Sequence, residues 1–410
     1  MTDALHGLRI LDLTQYEAGT SATQTLAWLG ADVVKVEQPR VGDPGRGRSY
    51  RSQDRWYFLT LNGNKRSITL DLKHPEGHAL FLRLLPRFDV VTENLGPGAM
   101  EQFGLGYEQL REHHPALIYA TIKGFGTSGP YAEFKSYDMV AQAVGGSMSV
   151  TGRPDTEPIR SGATYGDTGT GMHLAIGILA AYAKRLRTGE GSHVEVSMQE
   201  AIASYCRVGF LAREATGDPV PRAGNNLVNL APTDTYPCKP FGPNDWVYVV
   251  AVTGRMFENL MIAIGHADLA DDPRVATPAA RRENSEWLHG LVREWTAQRT
   301  KHEAMAELQS FGIPAGAVFG SDDIFNDTHL IERGMVQRVQ HPTRGEVEVL
   351  GNPIRLDGAP TRLEPAPLLG EHTDAILEEE LALSSDEIDR LVEAGVIDAP
   401  ASAPVVGGGA

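Results

Sequence analysis

Short apolar runs alternate with helix-type patterns over the first 200 residues, and this alternation constrains the fold more than any other feature of the chain. Residues 8–13 (LRILDL) are typical of a buried strand, residues 22–29 predict a helix, and residues 32–36 (DVVKV) predict a second strand. The alternation continues with strands predicted at 67–72, 89–91, 117–122 and 193–197, and with helices predicted at 78–85, 107–113, 172–185 and 200–213. Such alternation predicts an α/β fold, a doubly wound parallel sheet with helices on both faces.

The pattern changes after residue 215. The 410 residues exceed what one hydrophobic core usually serves, and residues 216–232 are rich in Gly, Pro and Asn, as in a linker or a long active-site loop. Beyond it, the sequence predicts strands at 246–252, 335–339 and 345–350, and helices at 255–264, 283–298, 302–308 and 386–394. We therefore predict a large domain at 1–215, a linker or active-site loop at 216–233, a smaller α+β domain at 234–333, a return linker and C-terminal part of the large domain at 334–398, and a disordered tail at 399–410.

Composition and charge exclude several classes of protein. The formal net charge is −16 and Lys and Arg form no runs, which argues against binding to nucleic acid or to an anionic membrane. Two cysteines, Cys206 and Cys238, provide no disulfide framework, as is usual in the reducing cytosol. The first seven residues do not resemble a signal peptide, and the longest apolar run, at 174–182, is shorter than the roughly 20 residues of a membrane helix. We expect a cytoplasmic protein without a nucleic-acid or membrane partner.

Familiar cofactor and catalytic motifs are missing. The loop after the first predicted strand contains only Gly19, whereas a dinucleotide fingerprint needs three glycines at this turn. No Walker loop, no zinc-ligand spacing and no GxSxG motif occurs. We therefore expect no metal and no tightly bound cofactor, and the candidate chemistry narrows to carboxylates, hydroxyls and backbone amides.

Three glycine-rich segments, at 93–98, 123–131 and 161–171, follow predicted strands or precede a predicted helix. The last one places Asp167 just before a long apolar helix, where the helix dipole and free amides would stabilise an anion and keep its pKa low. Asp167 can equally be an N-cap residue, and the pattern alone favours this structural interpretation. The other two segments are weak signals, because many such loops and turns have no function.

Together with several further stretches, these segments resemble the class III CoA-transferases, the group of formyl-CoA transferase and carnitine CoA-transferase. The resemblance extends from about residue 8 to residue 377. Its markers are 29–37 (LGADVVKVE), 64–73 (NKRSITLDLK), 93–98 (ENLGPG), Gly166 with Asp167, 312–316 (GIPAG) and 369–373 (LGEHT). So many matches in one order favour membership of this family and reverse the preference for the N-cap interpretation.

The resemblance implies a fold and a reaction. It implies a large Rossmann-like domain and a small domain joined by long linkers, with two chains interlocked as rings in a homodimer. It also implies that Asp167 is the nucleophile of a CoA-transferase, which passes through an aspartyl anhydride and an aspartyl-CoA thioester. Acyl-CoA and a free carboxylic acid are the expected small-molecule partners, with coenzyme A as a co-substrate.

Further site residues follow from the resemblance, residue by residue. The supporting active-site residues would be Glu17, Tyr137, Asp138 and Gly166. The positions expected to bind CoA are Leu70, Asp71, Leu72, Lys73, Asn94, Leu95, Gly96 and Lys135. Two arginines of the family are replaced by Gln38 and Gln102 here, and Arg40 lies close enough in the sequence to compensate.

Two departures from the family pattern concern the substrate. Oxalate-using members carry Gln at the position of Glu17, where a carboxylate would repel an incoming carboxylate. They also carry a run of glycines where residues 225–231 (NNLVNLA) occur here, and this bulkier stretch has less backbone freedom. We therefore expect an acceptor other than oxalate, and the hypothesis is a succinyl-CoA donor with a larger acid.

Three alternatives remain open. The family also contains 2-methylacyl-CoA racemases, but their catalytic His aligns with Tyr137, whose usual pKa near 10 makes it a poor base at neutral pH. A CoA-binding paralogue without turnover is expected to have a damaged nucleophile loop, whereas Gly166 and Asp167 are present. A nicotinamide-dependent dehydrogenase would need the missing glycine fingerprint.

Overall fold

The computed structural model describes residues 4–47, 54–226 and 230–399. Contacts between residues divide the chain into two units. The first comprises Met1–Met148, Arg160–Gly217 and His329–Ala410, and the second comprises Ser149–Ile159 and Asp218–Thr328. The domain boundaries derived from the sequence stay a prediction, and no sequence pattern assigned residues 149–159 to the second unit. Residues 227–229 of the predicted linker or active-site loop and residues 400–410 of the predicted disordered tail lie outside the described residues.

A six-stranded parallel sheet forms the centre of the first unit. Its strands are β1 (Arg9–Asp12), β2 (Asp32–Glu37), β3 (Arg66–Thr69), β4 (Val90–Glu93), β5 (Ile118–Lys123) and β6 (Ser192–Ser197). The spatial order is β3–β2–β1–β4–β5–β6, which is the doubly wound order. In register, Ile10 of β1 lies opposite Val33 on one side and Val90 on the other. The predicted α/β fold is confirmed.

The central strands bury both of their faces. Ile10 and Val33 belong to a core cluster on one face of the sheet, and the neighbouring residues Leu11 and Val34 belong to the cluster on the other face. Alternate side chains of a strand point to opposite faces, so a strand covered on both sides is apolar throughout. This explains why residues 8–13 are mostly apolar, with Arg9 and Asp12 as the exceptions.

Helices cover the sheet and build most of the second unit. Their bounds are α1 (Ala18–Trp28), α2 (Trp56–Leu61), α3 (Pro75–Leu84), α4 (Ala99–Gln102), α5 (Tyr107–His113), α6 (Asp138–Val144), α7 (Ser147–Val150), α8 (Thr170–Thr188), α9 (Met198–Phe210), α10 (Ala212–Thr216), α11 (Gly254–Ala263), α12 (Pro278–Glu283), α13 (Ser285–Thr296), α14 (Lys301–Ser310), α15 (Ser321–Asn326), α16 (Thr328–Glu332), α17 (Thr373–Leu381) and α18 (Ser385–Glu393). Within the described residues, none of these helices has both the length and the apolar character needed to cross a membrane.

The second unit contains a small antiparallel sheet of β7 (Asp234–Pro237), β8 (Trp246–Val249) and β9 (Ala315–Ala317), in that order. Its core is formed by buried side chains of α11, α13 and α14 packed with those of the strands. The chain then returns to the first unit, where β10 (Val336–His341) and β11 (Gly345–Leu350) form an antiparallel hairpin. Both hairpin strands were predicted, whereas β7 (DTYP) and β9 (AGA) were not, because they contain Asp, Pro, Gly and Ala, which are uncommon in strands.

Candidate active site

The carboxyl ends of β1 and β4 lie side by side at the point where the winding of the sheet changes direction. The chain continues from β1 to β2 on one side and from β4 to β5 on the other, and open parallel sheets bind ligands in the crevice at such a switch point. Two hydrogen bonds of 2.8 Å join the two loops here. The backbone N–H of Gln15 donates to Asn94 Oδ1, and Asn94 Nδ2 donates to the carbonyl of Gln15. The predicted site residue Asn94 therefore lies at the switch point.

Asp167 lies in a wide helical turn, Tyr165–Gly169, directly before α8. The carboxylate of Asp138, the first residue of α6, holds this turn by hydrogen bonds to its backbone. Asp138 Oδ1 accepts from the backbone N–H of Gly166 at 2.9 Å and from that of Asp167 at 3.3 Å. Its other oxygen accepts from Nε2 of the buried Gln142 at 2.8 Å. Asp138, Gly166 and Asp167, which the resemblance assigned to the active site, are thus adjacent in space. Gln142 was not identified from the sequence.

No side chain fits at Gly166. A Cβ atom on this residue would lie 2.6 Å from the carbonyl oxygen of Asp138 and 2.7 Å from its Oδ1. Both distances are shorter than van der Waals contact, so a larger residue would push the turn away from Asp138. The absence of a Cβ atom allows the backbone to approach Asp138 closely enough for both N–H groups to donate.

The side chain of Asp167 does not cap the following helix. Gly169 occupies the N-cap position of α8, and no side chain donates or accepts a capping hydrogen bond there. Among the described residues, the carboxylate of Asp167 has no hydrogen-bond or ion-pair partner. The N-cap interpretation is therefore wrong, and both carboxylate oxygens are available to a substrate.

The pKa of Asp167 is raised to about 7. Burial is the largest cause, followed by the negative charges of Glu17 and Asp138. The prediction of a low pKa for Asp167 is thus wrong. Burial and two neighbouring carboxylates raise the pKa of this group by more than the partial charge of a helix dipole lowers it. Near neutral pH, Asp167 therefore exchanges between its protonated and carboxylate forms.

Glu17 is buried beside the turn Tyr165–Gly169, which we call the nucleophile turn after the role proposed for Asp167 below. Its Oε1 accepts hydrogen bonds from the hydroxyls of Thr164 and Thr168, the second at 2.8 Å, and its Oε2 accepts from the Tyr57 hydroxyl at 3.3 Å. Burial, Glu17 and Asp167 together raise the pKa of Tyr57, so its phenol remains a neutral hydrogen-bond donor. Tyr57 was missed by the sequence analysis, because no local pattern marks a tyrosine brought in by α2.

Asp167 lines a cavity of about 220 Å³ at the switch point, which we call the acyl cavity. Its walls come from the loops after β1, β4 and β5 and from the nucleophile turn. The lining residues are Gln15, Tyr16, Glu17, Ala18, Asn94, Leu95, Gly96, Pro97, Ile122, Lys123, Gly124, Phe134, Lys135, Ser136, Tyr137, Asp167 and Met198. Seven residues named from the sequence are brought together here: Glu17, Asn94, Leu95, Gly96, Lys135, Tyr137 and Asp167.

A second cavity, of about 290 Å³, continues from the first along the carboxyl ends of β1 to β3, and we call it the nucleotide cavity. The two cavities share Gln15, Leu95 and Gly96. The predicted CoA-binding residues Leu70, Asp71, Leu72 and Lys73 line the second one, together with Gln38. The side chain of Lys73 is exposed there, and an open recess beyond it includes Gln102. The predicted CoA-binding segments thus form one groove that leads to Asp167.

Arg40 lies apart from this groove. Its backbone has a φ of 64°, its N–H donates to Asp398 Oδ2 at 2.5 Å, and its guanidinium approaches Gly395. Arg40 does not line the acyl or the nucleotide cavity. Its role in CoA binding stays a prediction.

Three buried ion pairs hold the carboxyl ends of β1 and β2. Lys65 Nζ lies 3.1 Å from Asp12, Lys35 Nζ lies 2.9 Å from Asp43, and Arg46 Nε lies 2.7 Å from Glu37. Burial alone would raise the pKa of Glu37, but Arg46 and Lys35 lower it to about 2. Because a buried charge without a partner is strongly unfavourable, these pairs hold the strand ends in place. The markers Lys35, Glu37 and Lys65 of the sequence therefore have a structural role.

Within the described residues, no three His, Cys, Asp or Glu side chains are grouped as a metal site would require. The acyl cavity instead combines a free carboxylate, hydroxyl donors and backbone amides. Such groups suit acyl transfer, in which a carboxylate attacks a carbonyl carbon and donors stabilise the oxyanion.

Comparison with known proteins identifies relatives over nearly the whole chain. The model of CoA-transferase family III matches residues 5–373. A formyl-CoA:oxalate CoA-transferase from Streptomyces avermitilis is 44% identical over 412 residues, covering 97% of this chain and 100% of the relative. Another, from Bradyrhizobium sp., is 40% identical and covers 98% of this chain and 99% of the relative. The crystal structure of a CaiB/BaiF family protein from Brucella suis aligns with a TM-score of 0.82 at 36% identity, covering 93% of this chain and 100% of that one.

A doubly wound sheet with a groove at its switch point and a free carboxylate in that groove is the architecture of an α/β enzyme that acts on a bound ligand. Within this class, the family match and the 44% identity indicate one enzyme family. The chain belongs to CoA-transferase family III, and the enzyme is a CoA-transferase whose co-substrates are CoA thioesters. The resemblance inferred from the sequence is confirmed.

Proposed function

We propose that this enzyme transfers CoA from an acyl-CoA donor to a free carboxylic acid, with Asp167 as the covalent nucleophile. One observation carries the proposal: the carboxylate of Asp167 faces the acyl cavity without a partner among the described residues, while its backbone is held by Asp138. A carboxylate freed in this way can attack a thioester, and its fixed backbone keeps it aligned with the groove.

The reaction proceeds by four acyl transfers. An oxygen of Asp167 attacks the thioester carbonyl of the donor, the C–S bond breaks, and CoA leaves as a thiolate from an aspartyl anhydride. The thiolate attacks Cγ of Asp167, which releases the donor acid as a carboxylate and leaves an aspartyl-CoA thioester. The acceptor carboxylate attacks the same Cγ and again releases the thiolate. Attack of the thiolate on the acceptor carbonyl forms the new acyl-CoA and regenerates the carboxylate of Asp167.

Each part of CoA has a proposed place in the groove. The thioester lies at Asp167, the pantetheine arm follows Asn94 to Gly96, and the nucleotide occupies the cavity beside Leu70 to Lys73. Lys73 and Lys135 are exposed cations on this path and would pair with phosphate groups. The Tyr57 hydroxyl, already directed at Glu17, keeps that carboxylate in place beside the nucleophile.

Two donor–acceptor pairs deserve a direct comparison. The names of the relatives make formyl-CoA with oxalate the first pair to test. Glu17 disfavours oxalate as the acceptor of the first pair, since a buried carboxylate beside Asp167 repels a dianion more than a monocarboxylate. The second pair is succinyl-CoA with a larger acid. We propose that the enzyme uses oxalate less well than its relatives do.

Mass spectrometry of the intact enzyme tests the covalent mechanism. After incubation with formyl-CoA, succinyl-CoA and other donors, we expect a CoA-sized adduct that hydroxylamine or borohydride traps on Asp167. The variant Asp167→Asn keeps the size of the side chain and should form no adduct. Turnover by Asp167→Asn at the wild-type rate would contradict the mechanism. Deuterium exchange next to the carbonyl of a 2-methylacyl thioester, without any adduct, would instead support a racemase.

We further propose that the enzyme is a cytoplasmic, interlocked homodimer, as the resemblance implies. Large apolar side chains are exposed along α8 and α9, including Ile176 (64%), Leu186 (71%) and Val208 (79%). Exposed apolar side chains that lie together on one surface are typical of protein interfaces. Free CoA thioesters and two unpaired cysteines suit the reducing cytoplasm.

A further inference from the structure

Tyr16, in the loop between β1 and α1, has a backbone that a tyrosine rarely adopts. Its φ is 58°, in the left-handed region, which bulky residues avoid because Cβ crowds the backbone. Residues held in such conformations cluster at functional sites, where surrounding contacts maintain them. The neighbours of Tyr16 are Gln15, which pairs with Asn94, and Glu17, which contacts the nucleophile turn.

Asp43 holds Tyr16 in this conformation. Asp43 Oδ1 accepts from the backbone N–H of Tyr16 at 3.1 Å and from that of Gly45 at 2.8 Å. Its other oxygen lies 2.9 Å from Lys35 Nζ, and both side chains of this ion pair are buried. A buried, paired carboxylate has little freedom to move, so it fixes the position of the Tyr16 backbone.

The conformation directs the Tyr16 ring into the wall of the acyl cavity, edge-on to Tyr137. The ring centroids are 6.1 Å apart and the planes meet at 85°. Each tyrosine directly precedes a carboxylate that contacts the nucleophile turn: Tyr16 precedes Glu17, and Tyr137 precedes Asp138. Both tyrosines line the same cavity as Asp167.

Tyr16 lines the acyl cavity, of about 220 Å³, together with Asp167, so in the proposed function its side chain shares this cavity with the acyl group of the thioester. We propose that Tyr16 limits the size of the acyl group, and that the enzyme accordingly selects short acyl groups. This inference rests on the proposed function and adds a residue that determines its substrate range.

Rates of adduct formation on Asp167 with formyl-, acetyl-, butyryl- and hexanoyl-CoA test the proposal. For the wild type, the rate should fall as the acyl chain lengthens. Tyr16→Gly removes the ring and adopts a positive φ without strain, so its hexanoyl-to-acetyl rate ratio should rise by about tenfold or more. Tyr16→Asn, which also tolerates this φ, should shift the ratio in the same direction, whereas Tyr16→Phe should keep the wild-type ratio.

Ala382→Gly is the matched control. Ala382 has a φ of 53° at the end of α17 and is exposed, so the substitution makes the same backbone change outside the groove. Its chain-length profile should equal that of the wild type. An unchanged profile in folded Tyr16→Gly and Tyr16→Asn would overturn the size limit while leaving the nucleophile intact. Absence of any adduct in the wild type would instead overturn the proposed function itself.

Discussion

At the scale of single residues, burial and charge determine the chemistry of Asp167. Its carboxylate is removed from water and faces two other carboxylates, Glu17 and Asp138, which is why its pKa lies near 7. A carboxylate with a raised pKa is a stronger nucleophile than one of ordinary pKa, because basicity and nucleophilicity increase together. Near neutral pH a smaller fraction of Asp167 is therefore ionised, but the ionised form is more reactive.

The pH dependence of adduct formation follows from this pKa. Below about 7 the folded enzyme holds Asp167 protonated and unreactive, so the rate should rise with pH and level off above about 8. Glu17→Gln preserves the hydrogen-bond acceptor for Thr164 and Thr168 but removes the charge, and should move the midpoint to lower pH. Rates of covalent labelling between about pH 5 and 9 measure both profiles.

The same Glu17→Gln profile has a clear contrary outcome. A midpoint that stays in place would show that burial alone, without the charge of Glu17, raises the pKa of Asp167. A rate that falls with increasing pH in the wild type would contradict the nucleophilic role of the carboxylate.

At the scale of elements, the nucleophile turn depends on a close approach between two helices. The turn Tyr165–Gly169 is attached to α6 by the hydrogen bond from the Gly166 N–H to Asp138. At the start of α8, Thr170 Oγ1 donates to the Gly166 carbonyl at 2.6 Å. Gln142, one turn along α6, also accepts from the backbone N–H of Ser161 at 2.9 Å. The segment that leads into the nucleophile is therefore positioned by α6 as well as by its own sequence.

Gly166→Ala should break this arrangement. The new Cβ atom would overlap the Asp138 carbonyl, so we expect a loss of about 100-fold or more in kcat and a destabilisation of about 1–3 kcal/mol. Gly162→Ala is the matched control, since a Cβ atom there meets nothing within 4 Å. Steady-state kinetics and thermal melting compare the two variants. Wild-type kcat in Gly166→Ala would show that the contact with Asp138 is dispensable.

At the scale of the whole molecule, the described residues that line the acyl and nucleotide cavities all belong to the first unit. The second unit has its own core, built around the β7–β8–β9 sheet. The groove and the core of the second unit are therefore formed by separate sets of described residues.

The proposed interlocked homodimer makes a prediction for the molecule in solution. Light scattering should give a mass near twice 44.4 kDa at all concentrations, because threaded rings cannot separate without unfolding. Val208→Asp places a charge on the exposed apolar surface of α9 and should lower the melting temperature without releasing monomers. A folded monomer, in the wild type or in Val208→Asp, would contradict interlocking.

Local pattern alone was sufficient for the elements of the first unit. The alternation of apolar strands with helical periodicity is a short-range property, and β1, β2, α5 and α8 lie within a few residues of their predicted bounds. The strands β7 and β9 contain Asp, Pro, Gly and Ala, which are uncommon in strands, so they were found only in the structure. The contact of residues 149–159 with the second unit is equally invisible in a local pattern.

The sequence by itself determined the α/β class and, through ordered motif matches, the family and the candidate nucleophile Asp167. Only the tertiary structure decided the surroundings of that candidate nucleophile: its raised pKa, its missing cap contact, the nearby Tyr57, and Tyr16 in the wall of the same cavity. The reason is physical. Periodicity and turn preferences depend on neighbours along the chain, whereas burial, repulsion between carboxylates and the strain held by Asp43 depend on residues that only folding brings together.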